Sequence, residues 1–483
     1  MNKIYDYIIV GSGPSGLALS WYLSKINKTV LLIDSQENIG GCHRVIRVDG
    51  LLTEHGPRVY SDVYLNFIDL LNEMNIDFND IFTLYSFDFS NIGDRTKLSL
   101  QFHEIFSFIY SFIRLIFNEK YGKDISMKNF MDINSFSDGS RDYMERVCRL
   151  TDGAETTRYT LFQFLELINN QILYKLYQPK LPNDKGLFFL IENKLKETEL
   201  VTFLLNHEVI TINENQNLIN SITVLNKLSK SSDIYYGNKF ILAIPPKPLY
   251  KLLSNSQKTK DAFGDLEQWS EDNSYFDYIP ITFHWKNKLE LKKIWGFPAS
   301  DWGLAFIILS DYMEFNDPTD YKTVISTCIT FTDRKSLVIN KTADESSINE
   351  IYSEVLRQLR EAFPDIPEPD RMIISPQVYY DITKKKWINI DTAFVVTTNS
   401  NQYLPFQSNI YSNLYNCGAQ NGTSNYYFTS LETAIVNSKN LFNQLSSNKR
   451  QIKKYSKITN YIHYMIVIIL IIFIYLFYKK YIV

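Results

Sequence analysis

Three glycines, Gly11, Gly13 and Gly16, stand at the spacing G-x-G-x-x-G, and Asp34 lies 23 positions after the first of them. These residue types at these distances suit the phosphate and sugar portions of a dinucleotide. Gly11 permits a tight turn, Gly13 lets backbone approach a pyrophosphate, and Gly16 lets a helix pack close to a strand. Pro14 and Ser15 open that helix, whose unpaired N–H groups and positive dipole end favour negative charge. Asp34, with Ser35 beside it, can accept hydrogen bonds from the ribose hydroxyls of an adenosine. The motif alone serves FAD and NAD equally.

The neighbouring pattern supplies the elements that such residues need. Residues 7–10 form a short apolar run of the kind that becomes a buried parallel strand. Leu17, Leu19, Trp21, Tyr22 and Leu23 follow at helical spacing, and residues 29–33 form a second apolar run ending at Asp34. A Gly40-Gly41 pair then lets backbone pass close to a ligand, and Arg44 is placed to reach phosphate or ribose. Residues 50–60 read as a strand ending in a Gly56-Pro57 turn, which brings backbone against a flat ligand with Arg58 beside it. Arg58 reads equally well as a surface ion-pair partner.

Further along, residues 61–75 and 161–176 carry apolar side chains at helical spacing. The aromatic stretch 102–117 reads as a buried or pocket-lining helix. Residues 187–195 predict a helix, and 201–205, 209–212, 219–225, 234–236 and 240–244 predict strands before Pro245-Pro246. Strand-length runs recur at 278–285, 304–310 and 323–331, and 346–363 is an amphipathic helix closed by Pro364. Near the end, 414–416 reads as a short strand, Gly418 and Gly422 mark a loop, and Thr429-Ser430 can cap a helix beginning at Leu431 and running to Leu445. That helix offers a second N-terminus to negative charge.

Taken together, these residues resemble the flavin-containing amine oxidoreductases, the family of monoamine and polyamine oxidases, protoporphyrinogen oxidase and phytoene-desaturase-like enzymes. The resemblance rests on Gly11, Gly13, Gly16, Asp34, Gly40, Gly41, Arg44, the 54–58 run Glu-His-Gly-Pro-Arg and the 414–445 segment. It implies that the dinucleotide is FAD, bound non-covalently, because Cys417 is not where monoamine oxidases attach flavin. It also implies an adenine contact through the backbone of Val209, and a flavin N1/O2 edge held at Gly418, Ser430 and Leu431. The chain departs from the family pattern in having Cys42-His43 before Arg44, Ala419 where an acidic residue is usual, and Thr433 where glycine is usual.

The implied architecture is α/β. A Rossmann-like FAD-binding domain (1–60, 181–250 and 391–445) is interleaved with an α+β substrate or cap domain (61–180 and 251–390). A basic linker (446–460) and a transmembrane tail anchor (461–478) complete it. The tail is 18 residues of apolar and aromatic side chains apart from His463, with lysines on both flanks. At 1.5 Å per residue it reaches about 27 Å, close to a hydrocarbon core of roughly 30 Å. A single-pass C-terminal anchor with the catalytic domain cytosolic follows, and the short span with basic flanks suits a mitochondrial outer membrane.

A net charge of −3 and the lack of a basic groove interleaved with aromatics exclude nucleic acid as the natural partner. Four scattered cysteines without C-x-x-C argue against a metal site or disulfide framework. Lys286, Lys384, Lys385, Lys386 and His284 are candidates for a group near flavin, but surface lysines and core histidines are commoner, so no catalytic residue is singled out. The expected activity is FAD-dependent oxidation of an apolar small molecule, with hydride leaving a C–N or C–C bond for flavin N5. The alternatives are a flavin-dependent isomerase or sugar mutase without net redox change, and a membrane-tethered flavoprotein that only binds.

Overall fold

The computed structural model describes residues 3–54, 56, 58–91, 100–256, 258–315, 321–390, 395, 397–398, 404–421 and 430–481. Its first sheet is centred on the strand Ile4–Val10, in which Ile8 and Ile9 are fully buried. On one side Ile4–Val10 runs parallel to Val30–Ile33, which runs parallel to Val201–Leu204. On the other side it runs parallel to Ser232–Leu242, with Ile8 opposite Phe240. Strands buried on both faces read as continuous apolar runs, which is why residues 7–10 and 30–33 do not alternate.

The strand Ser232–Leu242 has two partners along its outer edge. Its first half pairs antiparallel with Leu218–Asn226, which pairs antiparallel with His207–Asn215. Its last residues, Phe240 to Leu242, pair in parallel with Leu414–Asn416. The sheet therefore joins residues from both ends of the chain. One face is covered by the helices Pro14–Ser24, Leu65–Glu73, Leu187–Lys196 and Leu431–Leu445 around Leu19, Tyr22 and Phe442.

A second, six-stranded sheet runs in the order Arg371–Ile374, Ile279–Trp285, Thr323–Ile329, Leu304–Ile308, Ile294–Phe297 and Asp88–Asn91. Its side chains alternate between two faces, as strand geometry requires. Ile281, Phe283, Leu304, Phe306, Ile325 and Ile329 pack beneath the helix Ile348–Ala362. The opposite face presents Trp295, Ala305 and Cys328 towards a cavity. The helix Ile348–Ala362 starts with a capping box made by Ser347 and Glu350.

Two expectations are corrected here. The helix Phe102–Phe117 forms, but it neither lines the cavity nor lies buried. Phe108, Leu115 and Ile116 face the core, whereas Phe102, Ile105, Phe106, Ile109, Tyr110, Ile113 and Phe117 are exposed. The apolar residues cover more of its circumference than its neighbours can cover.

The C-terminal membrane anchor is also overturned: among the described residues, no helix is long and apolar enough to cross a membrane. The segment folds as the helix Ile458–Tyr481. Its base is fastened to the protein. The Thr459 N–H donates to Asn169 Oδ1 at 3.0 Å, and His463 Nε2 donates to the Ile116 carbonyl at 2.6 Å. Lys457 pairs with Glu166 at 2.5 Å. With the anchor go the membrane partner, the cytosolic orientation and the mitochondrial outer-membrane address inferred from it.

Candidate functional site

A cavity of about 450 Å³ lies at the carboxyl ends of the central parallel strands. Gly11 follows the first strand there, Asp34 the second, Ala243 the strand Ser232–Leu242, and Cys417 the strand Leu414–Asn416. Open α/β sheets expose loop backbone and helix N-termini at this end.

Most of the residues singled out from the sequence meet at this cavity. Gly11, Gly13, Pro14, Ser15, Asp34 and Ser35 line one part of its wall. Gly41, Arg44, Gly56 and Arg58 line a second part, and Gly418, Ser430 and Leu431 a third. Gly16 lies behind the wall, where a Cβ would sit 2.0 Å from the Gly11 carbonyl oxygen. Val209 is absent from the lining; it is buried on the strand His207–Asn215 in register with Val224. Pro57, Gly422 and Thr429 lie outside the described residues.

Local geometry explains why these residue types occur. Gly11 has φ of 105°, and a Cβ there would meet the Ala243 carbonyl oxygen at 2.3 Å. Gly41 has φ of 58° and a Cβ there would lie 2.9 Å from Gly13 Cα, so the two glycine segments touch backbone to backbone. Asp34 ties the glycine loop: the Ser12 N–H and Oγ both donate to Asp34 Oδ2 at 2.7 Å, and the Gln36 N–H donates to Oδ1. Arg44 Nη1 donates to the Gly41 carbonyl at 2.9 Å, and Arg58 Nη2 to the Cys42 carbonyl at 2.9 Å.

Two helix N-termini converge on the cavity. The helix Pro14–Ser24 has Gly13 at its N-cap and no side-chain cap, so its first N–H groups stay open towards the cavity. The helix Leu431–Leu445 is capped by Ser430, whose Oγ accepts from the Thr433 N–H at 3.0 Å. The loop before it is pinned by Asn421 Oδ1, which accepts from the Gly418 N–H at 2.7 Å, and by Asn437 Nδ2, which donates to the Gly418 carbonyl. Open N–H groups and a buried Arg58 Nε without an acceptor suit a phosphate-bearing dinucleotide.

The cap sheet and its neighbours form the other wall, lined by Arg149, Asp152, Tyr275, Tyr278, Trp295 and Cys328. Here the electrostatics are dominated by burial. Burial pushes Glu54 up to about 7, opposed by the Ser326 hydroxyl and the Arg58 charge. Burial and then the Arg58 charge drive His43 down to about 3, so it is neutral at pH 7. His284 is a buried core residue, its Nε2 donating to the Leu52 carbonyl at 2.9 Å. Lys286, Lys384, Lys385 and Lys386 do not line the cavity. The sequence pattern passed over Arg149, Asp152, Tyr275 and Tyr278 because no local motif surrounds them.

The fold is that of a mixed α/β, Rossmann-like flavin-type dinucleotide-binding protein. Residues 9–74 match the model of an NAD(P)-binding Rossmann-like domain. Among curated proteins, the UDP-galactopyranose mutase of Mycoplasma genitalium is 22% identical over 398 residues, covering 74% of this chain and 84% of that protein. Among solved structures, wild-type putrescine oxidase bound to putrescine superposes with a TM-score of 0.61 at 15% identity, covering 92% of this chain and 99% of that one. Cyclohexylamine oxidase from Brevibacterium oxydans gives 0.58 at 12%, covering 92% and 100%. These structural likenesses carry the fold.

Proposed function

We propose that the chain is an FAD-dependent oxidoreductase that binds its cofactor non-covalently and removes a hydride from a C–N or C–C bond of an apolar small molecule. The convergence of the open N-terminus at Gly13 and the capped one at Ser430 on one cavity carries this reading. FAD would supply the hydride acceptor, its N5 atom. The backbone at Gly13 to Ser15 would hold the pyrophosphate, and Asp34 with Ser35 the adenosine ribose. Gly41, Arg44, Gly56, Pro57 and Arg58 would flank the middle of the cofactor. Gly418, Ser430 and Leu431 would meet the flavin edge, whereas Val209, off the cavity wall, is left without the adenine contact that the resemblance implies. On this reading the cofactor domain is assembled from 1–60, 181–250 and 391–445, and the cap from 61–180 and 251–390. The apolar wall of Leu167, Ile172 and Trp295 would exclude water from the reacting bond.

The purified protein should show a flavin absorbance band, released intact on acid denaturation. Candidate amines or polyenes should bleach it without oxygen. A protein that neither carries nor takes up FAD would sink this reading. The relative from Mycoplasma genitalium supports a second one, a flavin-dependent sugar mutase without net redox change. Interconversion of sugar-nucleotide isomers by the reduced protein, with no bleaching by amines, would favour it.

A further inference from the structure

The helix Leu65–Glu73 begins after Tyr64, which lines the cavity and supplies no side-chain cap. Its first N–H groups are taken instead by Glu432, the residue after the cavity-lining Leu431. The Asn66 N–H donates to Glu432 Oε1 at 2.9 Å and the Phe67 N–H to Oε2 at 2.9 Å. Asn66 Nδ2 adds a further bond to Oε1 at 2.7 Å. Glu432 and Asn66 are both fully buried. A joint between two helices distant in sequence therefore lies directly behind the wall that Tyr64 and Leu431 form.

The same asparagine holds the segment 446–457, which has no helix or strand of its own. Asn66 Nδ2 donates to the Lys453 carbonyl at 2.8 Å, and Oδ1 accepts from the Lys453 N–H at 2.9 Å. Oδ1 also accepts from Lys439 Nζ at 3.1 Å. That buried ammonium pairs with Asp69 at 2.5 Å and donates to the Gln451 carbonyl at 3.3 Å. Arg450 pairs with Glu73 at 2.5 Å and lies over the Tyr22 ring at 4.2 Å. Apolar anchoring is slight: no residue from 446 to 457 is buried, and Tyr455 is only part-buried against the core around Tyr22 and Phe442. A segment held by polar bonds with little buried apolar surface opens at low cost, so it has two states, docked and released.

We propose that this segment and the cavity are coupled through Asn66 and Glu432, so that a dinucleotide resting on Tyr64 and Leu431 tightens the docked segment, and docking tightens the dinucleotide. The inference rests on the FAD reading and adds a conformational device to it, with Asn66 and Glu432 as positioning residues. Coupling requires a ligand that holds one state better than the other. Here the ligand would fix Tyr64 and Leu431, and the residues just beyond them carry the groups on which Lys453 docks. The Asn66 side chain is satisfied only while Glu432, Lys439 and Lys453 are all in place, so neither end can shift without breaking bonds at the other. Such coupling is reciprocal, which makes it measurable from both ends.

Amide hydrogen exchange of the full chain, with and without added FAD, tests this. The amides of Arg450 and Lys453, bonded to Asn443 and Asn66, should exchange at least about fivefold more slowly with FAD, the lower end of ordinary coupling between two sites. The strand Arg371–Ile374, at the edge of the cap sheet, is the reference for a general gain in stability. Asn66→Ser keeps the N–H to Glu432 and removes the side chain that holds Lys453, so FAD should no longer slow Lys453. Arg450→Gln breaks the pair with Glu73 and touches no residue of the cavity wall. It should speed exchange of the segment and weaken FAD binding together. Slowing by FAD no greater than in the reference strand, slowing that persists in Asn66→Ser, or a faster-exchanging Arg450→Gln that binds FAD at wild-type strength would each overturn the coupling. An Arg450→Gln segment that exchanges no faster overturns the polar fastening on which the coupling depends. A chain that takes up FAD without protecting the segment fails this inference alone, whereas one that takes up no FAD fails the oxidoreductase reading and this inference with it.

Discussion

Ser438 Oγ donates to the Ser15 carbonyl at 3.0 Å, across 423 positions of sequence. Ser15 Oγ returns a bond to the Ala434 carbonyl at 3.3 Å, so the helices Pro14–Ser24 and Leu431–Leu445 cross at two small residues. Their close approach sets the relative position of both N-termini at the cavity. Ser438→Ala should cost about 1 kcal/mol, the net worth of one buried hydrogen bond, read as a small fall in the unfolding midpoint. Ser438→Leu should wedge the helices apart and lose most bound flavin, measured by the flavin-to-protein absorbance ratio. Full flavin retention by the leucine variant would refute the role of this crossing.

Gly11 is intolerant for a steric reason. A methyl group there meets the Ala243 carbonyl oxygen at 2.3 Å while the backbone sits at φ of 105°. Gly11→Ala should destabilise the chain by roughly 1–3 kcal/mol through backbone strain and abolish cofactor retention. Gly56, with nothing within 4 Å of its Cβ position, is the matched control, and Gly56→Ala should keep its fold.

Glu54 predicts a specific pH dependence. Its carboxyl titrates near 4.5 when unfolded and, through burial, at about 7 in the folded protein. Between those values the folded state holds the extra proton. Stability therefore falls as pH rises from about 4.5 and levels off above about 7. Glu54→Gln removes this titration, so its stability relative to wild type should rise across that window by at most roughly 3 kcal/mol. Urea unfolding at pH 5 and pH 8 measures it, and parallel wild-type and variant curves would show that Glu54 ionises normally.

The orientation of the helix Phe102–Phe117 is equally open to test. Leu115 is 2% exposed and Ile109 48%. Leu115→Ala should cost roughly 2–5 kcal/mol by opening a cavity, whereas Ile109→Ser should stay within about 0.5 kcal/mol. Reversed magnitudes in chemical denaturation would place the helix the other way round.

What could be read in advance was what is encoded locally. The turn at Gly11, the helix from Pro14 and the buried strand Val30–Ile33 each depend on a few adjacent residues, and their pattern is visible in any short window. The helix Phe102–Phe117 was legible as a helix but not as an exposed one, because its partners come from distant segments, 127–165 and the tail helix at His463, and leave one side uncovered. The tail had the same difficulty: hydropathy reports what a segment could cross, not that Thr459 and His463 are bonded to Asn169 and Ile116. Arg149, Asp152, Tyr275 and Tyr278 escaped notice because only the fold brings them to one cavity wall.

The strand Ser232–Leu242, with its two partners on one edge, sets an order of events during synthesis. Phe240 to Leu242 wait, half paired, until Leu414–Asn416 has left the ribosome, and the Ser430 N-terminus emerges later still. Between the synthesis of Leu242 and that of Asn416, about a third of the chain, this stretch of edge thus lacks its partner. A chain cut before Leu414 should therefore leave this edge unpaired even though the glycine motif at Gly11 is intact.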